Sequence, residues 1–140
     1  MENSKIINKG LVVSGKRKLS IAKASIKAGS GKIWINKIPY ENLNFFRKLS
    51  IEEPVEITKN ILGNFNFDIV VNAKSGGSEG QAQASRLAIA RALVEFTKSD
   101  ELKRAFLKYD KALLVADTRR KEAYKPGDSK ARRKRQKSFR

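Results

Sequence analysis

The clearest periodic signal in the chain lies between positions 21 and 28, where small apolar residues occupy every second position. A period of two places successive side chains on opposite faces of a β-strand, so this segment is predicted to be a strand with one packed face. Gly29-Ser30-Gly31 follows, and glycine readily adopts the positive φ angles that hairpin turns need. We therefore predict that this strand and the next apolar run, Ile33 to Asn36, form a β-hairpin. The packed side would carry Ala22, Ala24, Ile26 and Ala28, and the other side Ile21, Lys23, Ser25 and Lys27.

Two further apolar runs have the composition of strands. Lys9 to Val13 is short and precedes Ser14-Gly15, so a first strand is predicted to end there. Phe65 to Asn72 is rich in aromatic and β-branched residues that recur at every second position. This pattern is typical of a central strand.

Residues between these strands are predicted to form two short helices. Glu41 to Leu49 has its apolar residues on one side, and Ile51 to Leu62 continues with helical spacing. The two are separated because Ser50 and Glu53 fit a capping box and Pro54 is tolerated at the start of a helix but not inside one.

A glycine-rich turn, Ser75 to Gly80, leads into a longer helix predicted to end near Thr97, and Ser99 is predicted to cap a last helix, Asp100 to Tyr109. Together these elements predict a two-layer α+β fold, with a mixed sheet of about four strands and helices packed on one face. The predicted core positions of the two helices are Ala82, Ile89, Ala90, Leu93, Phe96, Leu102, Ala105, Phe106 and Tyr109.

Charge divides the chain into two parts. Of the net charge of +17, the residues after Asp117 carry +9, with eleven Lys or Arg against two acids. That segment has few large apolar side chains, too little burial to offset an ordering cost of roughly 1 to 2 kcal/mol per residue. We therefore predict one globular domain, residues 1–117, and an extended basic C-terminal arm, residues 118–140. Both parts are expected to face a polyanion, with nucleic acid ahead of an anionic membrane surface.

The composition also limits the kinds of catalytic and metal-binding site that the chain can form. The sequence contains no cysteine and no histidine, which removes disulfides, thiolate zinc sites and the commonest general base. No catalytic residue, metal or cofactor is predicted. No apolar run reaches the length of a membrane span and the first ten residues lack a signal-peptide core, so a soluble, intracellular protein is expected.

Cationic and amide side chains in three regions are predicted to bind RNA, because phosphate neutralisation by Lys and Arg dominates such binding. The helical pair is predicted to lie on the polar side of its helix, where RNA contact and simple solubility weigh equally. For the strand group an ordinary solvated strand face is the alternative, and for the arm a localisation signal or a nonspecific tail. The strand group is Lys16, Arg17, Lys18, Lys23 and Lys27, the helical pair is Gln81 and Arg86, and the arm contributes Arg119, Arg120, Lys121, Lys125, Lys130, Arg132, Arg133, Lys134 and Arg135.

The glycine-rich turn has two interpretations. Free backbone N–H groups at a helix N-terminus can cradle a phosphate, although the segment around Gly31-Lys32 does not match a Walker A motif. Close packing and turn geometry are the favoured roles of Gly76, Gly77 and Gly80. Two alternative functions follow: a phosphate-binding enzyme that uses the Gly76–Gly80 turn with Asp68 or Glu79 as a metal ligand, and a free RNA chaperone or packaging protein.

Short motifs lie along almost the whole chain in a specific order. They are Gly15-Lys16-Arg17-Lys18, Gly29-Ser30-Gly31-Lys32, Ile35-Asn36-Lys37-Ile38-Pro39, Gly76-Gly77 with Gly80-Gln81-Ala82, Arg86 with Ile89-Ala90-Arg91-Ala92-Leu93, then Asp117, Arg119, Glu122, Ala131-Arg132-Arg133, Gln136 and Ser138-Phe139-Arg140. In this order and spacing they resemble the archaeal and eukaryotic-type branch of the universal small-subunit ribosomal protein nine family.

The resemblance implies a two-layer α+β domain on the head of the small ribosomal subunit, in the cytoplasm, and an arm that runs through rRNA. In the family the last residue is an Arg that approaches the anticodon stem-loop of the peptidyl-site tRNA. Lys137, Phe139 and Arg140 are therefore expected to contact tRNA. The implied partners are small-subunit rRNA, peptidyl-site tRNA and neighbouring ribosomal proteins of the subunit head, with no membrane and no chemistry of its own.

Overall fold

The computed structural model describes residues 10–124, which form one five-stranded sheet and three α-helices. The α+β class is confirmed, with five strands where about four were predicted. Short 3-10 turns, Tyr40–Asn42 and Lys111–Leu113, follow the fourth strand and the last helix. The strands are β1 (Leu11–Arg17), β2 (Ser20–Ala28), β3 (Ile33–Ile35), β4 (Ile38–Pro39) and β5 (Phe67–Lys74), and the helices are α1 (Phe45–Leu62), α2 (Ser78–Thr97) and α3 (Asp100–Tyr109).

The strand order β1-β2-β5-β3-β4 shows that the predicted hairpin is wrong. β5 lies between β2 and β3, antiparallel to the first and parallel to the second. The carboxylate of Asp68 in β5 accepts hydrogen bonds from the backbone N–H groups of Ser30 and Lys32, at 2.9 and 3.1 Å, and so holds the loop after β2. The hairpins of the described residues instead join β1 to β2 and β3 to β4. The β1–β2 turn places Lys18 at a φ of +51°.

β1 runs past its predicted end at Val13 as far as Arg17. Gly15, which was expected to follow the strand, lies where β1 crosses α2. A Cβ at this position would lie 2.3 Å from the carbonyl oxygen of Ala84 and 2.7 Å from the backbone nitrogen of Ala88. The glycine therefore permits close packing inside the strand. The predicted start at Lys9 lies outside the described residues.

A single helix, α1, replaces the two helices predicted for residues 41–62. Pro54 is its tenth residue and is buried, although a proline inside a helix costs roughly 3 kcal/mol. Ile51 and Val55 are buried in the core beside it, and this burial offsets the cost. The capping box is also wrong, because the hydroxyl of Ser50 donates to the carbonyl oxygen of Phe46 at 3.0 Å within the helix.

The core lies between one face of the sheet and the helices. Ala22, Ala24 and Ile26 of β2 are fully buried, as the alternation predicted, whereas Ala28 is exposed. α2 packs across β1 and β2, and α1 and α3 pack against α2 and each other. The prediction for α2 is confirmed by burial of Ala82, Ile89, Ala90 and Leu93.

α3 begins as predicted, since the hydroxyl of Ser99 accepts a hydrogen bond from the backbone N–H of Leu102 at 3.3 Å. Leu102 and Phe106 are fully buried. Tyr109, expected to point inward, is 60% exposed, so that prediction is wrong. The helix thus contacts the core through a narrower stripe than its apolar spacing indicated.

Candidate nucleic-acid interface

A groove of about 730 Å³ lies between the β1–β2 turn and the first residues after the predicted domain boundary. Five of its six lining residues are cations, and the sixth, Leu19, is 73% exposed. The two halves of the groove are far apart in sequence and meet only through the fold. The residues that line it, here called the basic groove, are Arg17, Lys18, Leu19, Arg119, Arg120 and Lys121.

Asp117 fastens one side of the basic groove to the other. Its carboxylate pairs with the guanidinium of Arg17 at the end of β1. The same carboxylate accepts hydrogen bonds from the backbone N–H of Arg119 at 2.9 Å and from its Nη2 atom at 2.7 Å. A single partly buried acid thereby joins the first strand to the segment that leads into the predicted arm.

The basic groove keeps a positive charge after these contacts. Arg17 and Arg119 share one carboxylate, and the guanidinium of Arg120 donates only to the carbonyl oxygen of Arg119, at 3.1 Å. The ammonium of Lys121 donates to the hydroxyl of Tyr124 at 2.6 Å and lies 4.3 Å from the centre of its ring. Such a row of cations can neutralise several phosphates of a nucleic-acid backbone.

Three of the predicted RNA-binding lysines lie on the strands. Lys16, Lys23 and Lys27 are exposed and share the parity of the sheet face that the helices do not cover. They therefore extend the basic surface from the groove across the sheet.

Arg86 does not lie on the polar side of α2, and that placement is wrong. The residue is 9% exposed, and its Nη2 atom lies 2.5 Å from Oε2 of Glu53 and 3.0 Å from Oδ2 of Asp110. Hydrogen bonds from the backbone N–H of Ala112 and from the Arg86 guanidinium lower the pKa of Asp110 below its usual 3.8. This cluster ties α1, α2 and the end of α3 together, and the RNA contact of Arg86 stays a prediction.

Gln81 and Arg91 also make contacts within the fold. The side chain of Gln81 accepts from Nδ2 of Asn36 at 3.4 Å and donates to the carbonyl oxygen of Ser75 at 3.2 Å. Arg91 donates to the carbonyl oxygens of Leu114, at 2.8 Å, and Ser14, at 3.1 Å. The local sequence carried no signal for Asn36, Leu114 and Ser14 as partners, because each is more than 20 residues away along the chain.

The glycine-rich turn is packed against Ser20. Gly76 has a φ of +67°, and a Cβ there would lie 2.1 Å from Oγ of Ser20, while one on Gly80 would lie 2.6 Å from the same atom. Ser20 is buried and donates to the carbonyl oxygen of Ser75 at 3.0 Å. These contacts favour the packing role of Gly76 and Gly80, whereas a Cβ on Gly77 would meet no atom within 4 Å.

The two acids of the alternative enzyme function lie on different elements, Asp68 near the start of β5 and Glu79 in the first turn of α2. Asp68 holds the loop after β2, and Glu79 accepts a hydrogen bond from Nε of Arg47 at 2.7 Å. Between residues 10 and 124 there is no group of three or more acids suited to a metal ion. Nor does any helix in that range have the length and apolar character needed to cross a membrane.

Most of the predicted arm lies outside the described residues, and residues 118–124 contain neither helix nor strand. The boundary between domain and arm, and the contacts expected of the arm, stay predictions. The residues concerned are Lys125, Lys130, Arg132, Arg133, Lys134, Arg135, Lys137, Phe139 and Arg140.

Comparison with known proteins gives a consistent result. The family model described as Ribosomal protein S9/S16 matches residues 15–140. The chain is 47% identical over 131 residues to the small ribosomal subunit protein uS9 of Desulfurococcus amylolyticus, covering 93% of this chain and 92% of that protein. It is 48% identical over 129 residues to the protein of the same name from Methanococcus maripaludis, covering 90% and 95%. The chain therefore belongs to the ribosomal protein S9/S16 family.

Proposed function

We propose that this chain is a structural component of the small ribosomal subunit, that it binds rRNA in the subunit head, and that its C-terminal arm reaches the peptidyl-site tRNA. Family membership supports the structural, non-enzymatic role and a place in the cytoplasmic ribosome. The contacts with rRNA, tRNA and neighbouring ribosomal proteins go beyond what the family assignment states. The charges of the molecule support these contacts.

The basic groove is the main support for the proposed rRNA contact. Lys18 and Arg120 lie in it with no carboxylate partner among residues 10–124, and Asp117 is shared by two arginines. An isolated domain gains nothing from holding like charges together, since they repel one another. A polyanion threaded between the β1–β2 turn and residues 119–121 removes that repulsion. The groove also opens where the arm begins, so one RNA segment can contact both.

The test of the rRNA contact is the salt dependence of binding. Purified chain is titrated with an rRNA fragment from the subunit head at several salt concentrations. With about eight phosphates neutralised, log K is expected to fall against log salt with a slope of roughly −6 to −7. A nearly flat salt response would remove the proposal.

A pair of double variants locates the contact. Lys18→Gln with Arg120→Gln is expected to make the slope less steep by roughly 1.4 to 1.8, because two phosphate contacts are lost. Lys103→Gln with Arg104→Gln removes the same charge from exposed positions of α3 and is expected to leave the slope close to that of the unmodified chain. If both double variants reduced the steepness of the salt slope equally, net charge and not the groove would drive binding.

The tRNA contact is tested by removing the tip of the arm. Deletion of residues 137–140 is expected to leave the protein in small subunits and to weaken retention of peptidyl-site tRNA, because these residues lie beyond the predicted domain. Sucrose-gradient profiles and tRNA filter binding measure the two effects. If the truncated protein were absent from subunits, the tip would be assigned a role in assembly. If the full-length chain were found mainly off the ribosome, the alternative function as a free RNA chaperone would be favoured.

A further inference from the structure

The sheet face that the helices do not cover has an ordered arrangement of side chains in three rows. Strand register defines the rows: positions 16, 21 and 74 lie side by side, as do 14, 23 and 72, and then 12, 25, 70 and 34. The first row is basic and apolar, the second basic and polar, and the third mainly apolar. The residues of this surface, here called the open face, are Val12, Ser14, Lys16, Ile21, Lys23, Ser25, Trp34, Val70, Asn72 and Lys74.

The lysines of the open face have no acidic partner. Among residues 10–124, no carboxylate forms an ion pair with Lys16, Lys23 or Lys74. Asp68, the acid that continues the pattern on β5, instead caps the loop after β2 and lies beyond the third row. Adjacent strands are about 4.8 Å apart, so the three ammonium groups can gather within the reach of a few consecutive phosphates.

The third row offers an apolar surface that ends in an aromatic ring. Val12 is 59% exposed, Val70 41% and Trp34 39%. Val70 and Trp34 are directly paired across β5 and β3, so their side chains are neighbours. A half-exposed indole beside an aliphatic side chain is a platform on which an unpaired base can stack.

A shallow groove of about 670 Å³ crosses this face between the apolar and basic residues. Ile21, Lys23, Asn72 and Lys74 line it. The amide of Asn72 is exposed and makes no hydrogen bond with residues 10–124, so its donor and acceptor are available to a base edge.

We propose that the open face is a binding site for single-stranded RNA, with phosphates on Lys16, Lys23 and Lys74 and a base against Trp34 and Val70. The proposal rests on the proposed rRNA-binding function and assigns it a second surface, which adjoins the basic groove where Lys16 precedes Arg17. A protein partner fits less well, because the cores of protein interfaces are depleted in lysine, which is central here. The open stacking surface selects unpaired RNA over a duplex, whose bases are already stacked.

Trp34 is the only tryptophan in the chain, so its fluorescence reports on this face alone. Full-length protein is titrated with a fluorescein-labelled ten-nucleotide oligouridylate and, separately, with an RNA hairpin of the same charge. Anisotropy of the label measures total binding, and Trp34 emission measures occupation of the open face. The single strand is expected to change Trp34 emission and the hairpin to change it much less.

Matched variants test the lysines. Lys23→Gln with Lys74→Gln is expected to weaken the Trp34 response and to make its salt slope less steep by roughly 1.4, at about 0.7 per phosphate on a single strand. Lys103→Gln with Arg104→Gln on α3 is the control and is expected to leave both unchanged. Circular dichroism confirms that each variant is folded. Because both lysines are exposed, their loss should not disturb the core.

The outcomes separate this proposal from the function on which it rests. If anisotropy shows salt-dependent binding while Trp34 emission stays constant, the open-face site is wrong and rRNA binding stands. If anisotropy shows no binding of either RNA, both fail. In assembled subunits, the thiol introduced by Asn72→Cys is the only one in the chain and can carry a photo-crosslinker. Crosslinks to rRNA are expected, and crosslinks confined to a neighbouring protein would overturn the proposal.

Discussion

Arg17 and Asp117 are 100 residues apart in sequence and form an ion pair in the fold. The first lies at the end of β1 and the second where the predicted arm begins. Asp117 also accepts hydrogen bonds from the backbone N–H and the guanidinium of Arg119. The same carboxylate therefore sets the direction of the segment that follows Asp117. These contacts hold the first residues of the predicted arm beside the end of β1.

Replacing Asp117 should loosen this segment without unfolding the domain. Asp117→Ala removes the acceptor for the backbone N–H of Arg119, a hydrogen bond to a charged group of about 1.5 to 3 kcal/mol. Amide exchange of Arg119 is therefore expected to accelerate by at least tenfold, as measured by NMR. Glu95→Ala, which removes the same charge from an exposed position of α2, should leave that amide unchanged. Equal acceleration in both variants would indicate a general charge effect.

A methyl group added at Gly15 should destabilise the fold much more than one added at Gly77. Gly15→Ala would place a Cβ 2.3 Å from the backbone of α2, and the resulting overpacking is expected to cost about 3 kcal/mol of unfolding free energy. Gly77→Ala is expected to change stability by less than about 1 kcal/mol, because a Cβ there meets open space. Urea unfolding measures both, and a small effect at Gly15 would contradict the close contact of β1 with α2.

Arg86 should matter to stability more than an exposed arginine does. Arg86→Met keeps much of the buried volume but leaves Glu53 and Asp110 without their cation. The expected loss is about 2 to 3 kcal/mol, below the 3 to 5 typical of a fully buried pair because both acids are partly exposed. Arg104→Met on α3 is the control, expected to lie within about 0.5 kcal/mol of the unmodified chain. Similar values for the two variants would show that the cluster does not stabilise the fold.

Asp110 should contribute stability that depends on pH. Its pKa is lowered in the fold, so at low pH the unfolded chain binds a proton more readily than the folded one. The contribution is therefore fully present well above the ordinary pKa of 3.8, and it is lost progressively as the pH falls toward and through the lowered value. The difference in unfolding free energy between the unmodified chain and Asp110→Asn should shrink between pH 5 and pH 3. A difference that stays constant over this range would contradict the assignment.

The wrong prediction of a β2–β3 hairpin and that of a break before Pro54 have the same physical origin. Gly29-Ser30-Gly31 has hairpin chemistry, yet β5 inserts beside β2 because Phe67–Lys74 brings a longer apolar face to the core. Pro54 disfavours a helix interior, yet burial of Ile51 and Val55 outweighs the cost. In each case a local preference of a few kcal/mol lost to burial contributed by distant segments.

The sequence by itself determined which segments are strands and helices over most of residues 10–124, which face of β2 is packed, and that the chain carries a large positive charge toward its C-terminus. These properties follow from side-chain periodicity and composition, which act within a few residues. Only the tertiary structure decided that the β1–β2 turn meets residues 119–121, that Asp117 binds Arg17, and that Trp34 lies beside Val70. It also decided that Arg86 is buried and contacts the partly exposed Glu53 and Asp110. Those pairings depend on which elements pack into one core. The arrangement of the elements is determined by the total apolar surface that the whole chain buries on folding.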